Sequence, residues 1–293
     1  MSIFIDEQTT VLVQGITGNE GTFWTRHMID MGTKVVAGVT PGKGGQFLDA
    51  VPVYDCVYDA CKHHDIDAAV LFVPPRFTKD AVLEALDGGI KKIVTIADVI
   101  PIHDAVIIRR AAKQCGAYVI GGNTSGVISP GKAMMGALPY WIERVYKPGR
   151  IGVMTRSGSL TNEVASMIVR SGFGLSTLIG VGGDTVPGTR FAEMLPLYQQ
   201  DENTDAVVII GELGGSMEEE VAQCIADKTF RKPIIAFLGG ATAPEGKRMG
   251  HAGAIVSGGS GTVKGKIVAL TKAGALIAKR PSEVGDLLRA VLD

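Results

Sequence analysis

A histidine among small residues carries the clearest chemistry in this sequence. His251 stands in KRMGHAGAIVSGG (247–259), between Gly250 and the pair Ala252 and Gly253. A ring with no bulky neighbours can be approached by a second reactant. Near neutral pH much of an imidazole population is unprotonated, and the ring is then a good nucleophile towards phosphorus. A carboxylate that could serve it is Glu212, in GELGG (211–215). A carboxylate bonded to one ring nitrogen fixes the tautomer and leaves the other nitrogen to attack. Spacing alone leaves open whether the two residues meet, and a lone histidine can equally be structural.

Three glycine-rich turns could hold anions. In QGITGNEGTF (14–23) a strand runs through glycines into a helix start, where backbone N–H groups and the helix dipole favour a phosphate. Its Gly15, Gly18 and Gly21 are spaced GxxGxxG, which is not the GxGxxG dinucleotide fingerprint. TPGKGG (40–45) follows the second strand and offers Lys43, where a dehydrogenase would present an acidic residue to a ribose. A cation in that loop suits a phosphate-bearing nucleotide such as coenzyme A better than NAD. In TRSGS (155–159), Ser157 and Ser159 can cap a helix or donate to an anion beyond its N-terminus. Simple packing or capping would explain each turn taken singly.

The elements that must position these residues alternate. Strand-length apolar runs at 11–16, 34–40, 68–74, 91–98 and 117–122 are separated by helical patterns near 20–31, 55–64, 77–88 and 102–115. Continuous apolar strands divided by helices predict a parallel sheet covered on both faces. Residues 123–150, with Pro130, Pro139 and Pro148, read as irregular. The alternation then restarts, with strands at 150–158, 175–183, 205–215, 232–240 and 254–259. Helices are expected near 159–171, 189–200, 216–228, 262–273 and 282–292. The expected architecture is α/β, with an N-terminal Rossmann-like domain (1–128), a linker (129–149) and a flavodoxin-like doubly wound domain (150–293).

The 293 residues are 46% hydrophobic and 20% charged, a globular balance. A net charge of -1 favours neither nucleic acid nor an anionic membrane. The sequence has no apolar run approaching the ~20 residues of a membrane span. Its start, MSIFIDEQTT, has no signal-peptide or transit-peptide character. The expected location is cytoplasmic, or the mitochondrial matrix for the mature form of an organelle protein. Cys56, Cys61, Cys115 and Cys224 form no CxxC pair and no zinc spacing, and are expected to be reduced, buried thiols. No metal site is expected on this chain.

Together these motifs resemble the α subunit of succinyl-CoA synthetase, the NDP-forming succinate–CoA ligase. The likeness runs nearly end to end, through VLVQGITG (11–18), GVTPGKGG (38–45), the RSG turn, GVGGD (180–184), IIGELGGS (209–216) and TAPEGKRMGHAGAI (242–255). The resemblance implies that His251 is phosphorylated and that Glu212 orients it. It implies that Thr17, Gly18, Asn19, Glu20 and Lys43, with Ile96, Ala97 and Asp98, contact coenzyme A. The helix beginning at Ser157, Gly158 and Ser159 would present its N-terminus to the phosphohistidine. The partner would be an ATP-grasp β subunit, in an αβ or α2β2 assembly, binding ATP or GTP with Mg²⁺. ATP or GTP would phosphorylate His251, the phosphoryl group would pass to a small organic acid, and CoA would displace phosphate from the acyl phosphate.

The sequence departs from the family pattern near the acid site. GGNTSG (121–126) stands where GPNCPG is usual, so Asn123 is kept while Thr124 replaces a cysteine and Ser125 a proline. ADVIP (97–101) has Asp98 for a glutamate and Val99 for a glycine. ALPYWIERVYKPG (137–149) is longer by three residues than the common form and carries an aromatic pair. Asn162 replaces a tyrosine that the family places at the acid-binding junction, as in the related ATP-citrate lyase. Asn123, Thr124 and Asn162 are therefore the expected acid-binding residues. Succinate is the default acid. Malate, citrate or a sulfonated acid such as sulfoacetate would suit a roomier, more polar pocket. A non-catalytic CoA-binding protein is the remote alternative, but it would need neither GELGG nor GHAGA.

Overall fold

The computed structural model describes residues 2–240, 250–256 and 261–292. Fourteen strands and nine helices occur among them. The chain divides into two compact units. An N-terminal unit comprises Phe4–Leu138 with Val186–Thr189, and a C-terminal unit comprises Met1–Ile3, Pro139–Thr185 and Arg190–Asp293.

In chain order the N-terminal unit holds β1 (Thr10–Gln14), α1 (Asn19–Asp30), β2 (Lys34–Val39), β3 (Phe47–Leu48), β4 (Val51–Tyr54), α2 (Val57–His63) and β5 (Ala68–Leu71). It continues with α3 (Pro75–Asp87), β6 (Lys92–Thr95), α4 (Ile102–Cys115), β7 (Tyr118–Ile120), β8 (Gly126–Ser129) and β9 (Ala133–Gly136). Its sheet runs β3-β4-β2-β1-β5-β6-β7. All neighbours pair in parallel except β3 with β4. Without the short edge strand β3, the order is that of the doubly wound dinucleotide fold, with the strand order reversing between β1 and β5. Val11, Leu12, Val13, Val70 and Leu71 are fully buried because helices cover both sheet faces. Each such side chain stabilises the fold by roughly 1.5–3 kcal/mol.

The C-terminal unit holds β10 (Pro148–Thr155), α5 (Gly158–Arg170), β11 (Leu175–Gly180), α6 (Phe191–Gln200) and β12 (Ala206–Glu212). It ends with α7 (Met217–Ala226), β13 (Ile234–Gly239), α8 (Val263–Ala273), β14 (Leu276–Ala278) and α9 (Val284–Leu292). Its parallel strands lie in the order β11-β10-β12-β13-β14. This is the flavodoxin-like order expected from the sequence, and its switch point falls between β10 and β12.

The elements differ from expectation in three places. Residues 123–150 are not irregular throughout, since β8 and β9 pair there as an antiparallel hairpin and β10 begins at Pro148. The strand expected at 254–259 is not formed by residues 254–256, and residues 257–260 lie outside the described set. The fifth strand of the C-terminal unit is instead β14. The cysteines are not buried, with Cys115 exposed and the other three half-buried. Among the described residues no helix is long and apolar enough to cross a membrane, and no cluster of His, Cys, Asp and Glu could hold a metal ion.

Candidate active site

In the C-terminal unit, Arg156 follows the last residue of β10 and Glu212 ends β12, so both stand at the carboxyl edge of the sheet, one on each side of its switch point. The backbone at Arg156 continues the ladder, its N–H donating to the Ile210 carbonyl at 3.1 Å. The His251 loop folds over this edge. Gly253 N–H donates to the Gly183 carbonyl at 3.1 Å, and Ala254 N–H to the His251 carbonyl at 3.2 Å. The 241–249 part of the motif lies outside the described residues.

His251 and Glu212, 39 residues apart in sequence, meet: Nδ1 is 2.8 Å from Oε2. A carboxylate oxygen accepts, so this contact places a proton on Nδ1 and turns Nε2 away from Glu212. The other carboxylate oxygen, Oε1, lies 3.2 Å from Arg156 Nη2. Glu212 is thus shared between a buried guanidinium and a half-buried imidazole. The ring is seated against Gly183 of GVGGD, where a Cβ would come 2.5 Å from the imidazole Cγ.

The turn that carries Glu212 is pinned from below. Glu218 Oε1 accepts the Glu212 backbone N–H at 3.1 Å. Arg156 Nη1 and Lys266 Nζ both donate to the Gly214 carbonyl, at 2.9 and 2.8 Å. Lys266 also pairs with Glu218, and both side chains are fully buried. Arg156, Glu218 and Lys266 were not singled out from sequence. Only the RSG turn hinted at Arg156, and there the serines drew the attention.

Of the expected anion-stabilising residues, Ser157 is the N-cap of α5 and accepts from Leu160 N–H at 3.4 Å, while Gly158 and Ser159 are exposed in the first turn. Asn162 lies one turn along, and its Oδ1 accepts from the Tyr146 hydroxyl at 2.5 Å. Tyr146 is buried, which pushes its phenol well above the ordinary value and keeps it a neutral donor. Asn123 and Thr124 belong to the N-terminal unit. Asn123 is half-buried with φ 56° and its N–H donates to the Ala97 carbonyl, while the buried Thr124 hydroxyl accepts from Gly126 N–H at 2.9 Å.

A second site lies on the N-terminal unit. A cavity of about 780 Å³ opens over the carboxyl ends of β1, β2 and β5, at that sheet's own switch point. Gly15, Thr17, Gly18, Thr40 and Pro41 line one side, and Phe72, Pro74 and Phe77 the other. Gly15 has φ 78°, and a Cβ there would overlap the Phe72 carbonyl. Gly18 caps α1 with no side-chain bond, so the first N–H groups of that helix are not capped from within. The residues fit a phosphate-bearing ligand with an apolar portion. Asn19, Glu20 and Lys43 are exposed beside the cavity residues in sequence but do not line it, and Glu20 accepts from Trp24 Nε1 at 3.0 Å. Ile96, Ala97 and Asp98 follow β6 at the same sheet edge, outside the cavity lining. Phe72 was missed in sequence because an aromatic at the end of a buried strand reads as core, and Pro74 and Phe77 because they read as the start of the next helix.

Known proteins match both units. The CoA binding domain family matches residues 6–99, and the CoA-ligase family residues 154–276. An ADP-forming sulfoacetate–CoA ligase subunit of Bilophila wadsworthia is 69% identical over 292 residues, covering 100% of both chains. An ADP-forming succinate–CoA ligase α subunit of Archaeoglobus fulgidus is 49% identical over 292 residues, again covering 100% of both. Among solved structures, ATP citrate lyase of Methanothrix soehngenii, in complex with citrate and coenzyme A, superposes with a TM-score of 0.89 at 25% identity. That match covers 98% of this chain and 50% of the lyase chain, so the chain spans half its length.

Proposed function

The chain belongs to the family of ADP-forming acid–CoA ligase subunits typified by the succinate–CoA ligase α subunit, and on that premise we propose that it binds coenzyme A and relays phosphate through His251 to a small sulfonated acid such as sulfoacetate. The contact between His251 Nδ1 and Glu212 Oε2 at 2.8 Å carries the relay. Nε2 attacks the γ-phosphorus of ATP and ADP leaves. The phosphoryl group then passes to the substrate carboxylate, and His251 recovers its lone pair. The CoA thiolate attacks the acyl carbon and phosphate departs. Splitting the reaction in this way replaces one difficult step with easier ones. An ATP-grasp partner subunit would supply nucleotide and Mg²⁺.

The sulfonated acid rests on the 69% identity to a sulfoacetate–CoA ligase subunit, against 49% to a succinate–CoA ligase subunit. Asn162 supports it. With its Oδ1 held by Tyr146, the amide nitrogen is left to donate, which suits a three-oxygen anionic group in a roomier site. Coenzyme A would occupy the cavity over β1, β2 and β5, with its phosphates at the N-terminus of α1 and near Lys43. Ile96, Ala97 and Asp98 extend that site, and Asn123 and Thr124 remain candidates for the acid.

The test is thioester formation by the chain with its native partner, CoA, Mg²⁺-ATP and an acid panel, with His251→Ala as control. Sulfoacetate should give the highest kcat/KM, and the control should give no product. A preference for succinate would overturn the acid assignment. Activity retained by His251→Ala would overturn the relay.

A further inference from the structure

Burying a carboxylate against a histidine has a consequence for the nucleophile. A nearby negative charge favours the imidazolium, and an imidazolium has no lone pair to attack phosphorus. A site of this kind must hold the tautomer without holding a second proton.

The charged groups around His251 are paired in a way that bears on this need. Glu212 faces the ring from the end of β12, and Arg156 faces Glu212 from the end of β10, with only 4% of its surface exposed. Asp184, from the loop after β11, is buried nearby, with its backbone carbonyl against Gly253. Behind Glu212 lie Glu218 and Glu219 of α7 and Lys266 of α8, with Lys266 paired to Glu218. Lys266 pairs with Glu218 and lies 3.9 Å from Glu219, while Arg156 pairs with Glu212 and lies 3.8 Å from Glu218.

We propose that Arg156 is the positioning residue of this relay: it neutralises Glu212 through one carboxylate oxygen, so that the other can fix the His251 tautomer without protonating the ring. The role rests on reading His251 as the phosphoryl acceptor. The geometry of Arg156 is as specific as its charge. One guanidinium sets Nη2 3.2 Å from Glu212 Oε1 as an ion pair and donates from Nη1 to the Gly214 carbonyl, so it neutralises the carboxylate and holds the turn that carries it. Gly253 leaves the space for this, since a Cβ there would lie 2.9 Å from Nη2. A lysine keeps the charge but cannot span both partners with a planar fork.

With Arg156→Met, the Glu212–His251 pair binds one more proton at neutral pH. When that proton sits on the ring, Nε2 loses its lone pair. The midpoint of the pH–rate profile for phosphorylation by [γ-³²P]ATP, measured with the native partner, should move up by about one pH unit. Labelling at pH 7 should fall about threefold and recover at higher pH. Arg156→Lys should restore the midpoint while lowering the maximum rate. In ¹⁵N-histidine spectra of the chain, with His251 assigned through His251→Ala, the Nδ1–H tautomer should be present at pH 7 in wild type and depleted in Arg156→Met. A purely structural role would lower the rate equally at every pH and leave the midpoint unmoved, and that result overturns the inference. Wild type that takes no acid-labile label would instead overturn the phosphohistidine reading, and the Arg156 role with it. If Arg156→Met does not fold, Arg156→Gln, which also removes the charge, takes its place: a raised midpoint supports the role, and an unmoved one overturns it.

Discussion

The imidazole of His251 rests on Gly183, where a Cβ would stand 2.5 Å from the ring Cγ. Gly183→Ala must therefore push the ring off Glu212 or distort the GVGGD loop. Phosphorylation of His251 should fall at least about tenfold, because a sub-ångström displacement of a nucleophile is enough to spoil its approach. Acid-labile ³²P incorporation measures it, and coenzyme A binding, on the other unit, should be unchanged by calorimetry.

Glu212→Gln keeps the shape of the orienting side chain and removes its charge. Its amide can donate to Nδ1 or accept from it, so the Nδ1–H tautomer is no longer enforced. The expected loss in kcat is roughly 10²-fold, within the range for a positioned acid–base partner. KM for coenzyme A should stay within twofold. Equal losses in both constants would assign Glu212 to binding.

Gly15 in the first turn has φ 78°, and a Cβ would overlap the Phe72 carbonyl. Gly15→Ala should therefore close the mouth of the cavity over β1 and β5. Calorimetry should show coenzyme A binding weakened at least about tenfold, since both backbone conformation and free space are lost. Labelling of His251 by ATP should persist, because it needs no coenzyme A.

Tyr146→Phe removes the donor that holds Asn162 Oδ1 at 2.5 Å. The amide can then rotate and present its oxygen to an anionic substrate. KM for the acid should rise about three- to tenfold, the scale of one lost hydrogen bond of roughly 1 kcal/mol. The KM values for ATP and coenzyme A should not move. A parallel rise in all three would mean that Tyr146 acts on the fold.

Val99 occupies a left-handed backbone position, φ 53°, where the family usually has glycine. Its side chain is 61% exposed, so little packing is lost on removing it. A β-branched residue there costs about 1–3 kcal/mol of strain. Glycine would lose roughly 0.5–1 kcal/mol through the greater freedom of the unfolded chain. Val99→Gly should therefore stabilise the chain by about 1 kcal/mol, read as a rise in melting temperature of roughly 2–4 °C. A lower melting temperature would show that Val99 makes a contact worth more than its strain.

The sequence by itself determined the two doubly wound units, because long apolar strands buried on both faces leave an unbroken signal. It also marked the turns that bear the chemistry, since glycines cluster where strand ends run into helices or approach a ring. Short elements were illegible. β14 spans three residues and only Ala278 of them is buried, so it leaves no apolar run, whereas Ala254, Ile255 and Val256 imitate a strand in the His251 loop. Tertiary structure alone decided who meets whom. Glu212 ends β12, His251 lies in a loop 39 residues further on, and the two are joined by the fold, not by any spacing. Arg156 looked like an ordinary turn residue until the switch point set β10 beside β12 and buried its charge against Glu212. A sequence records what each segment can do, but the partner of a buried charge is fixed only when the strands that carry the two groups are laid side by side.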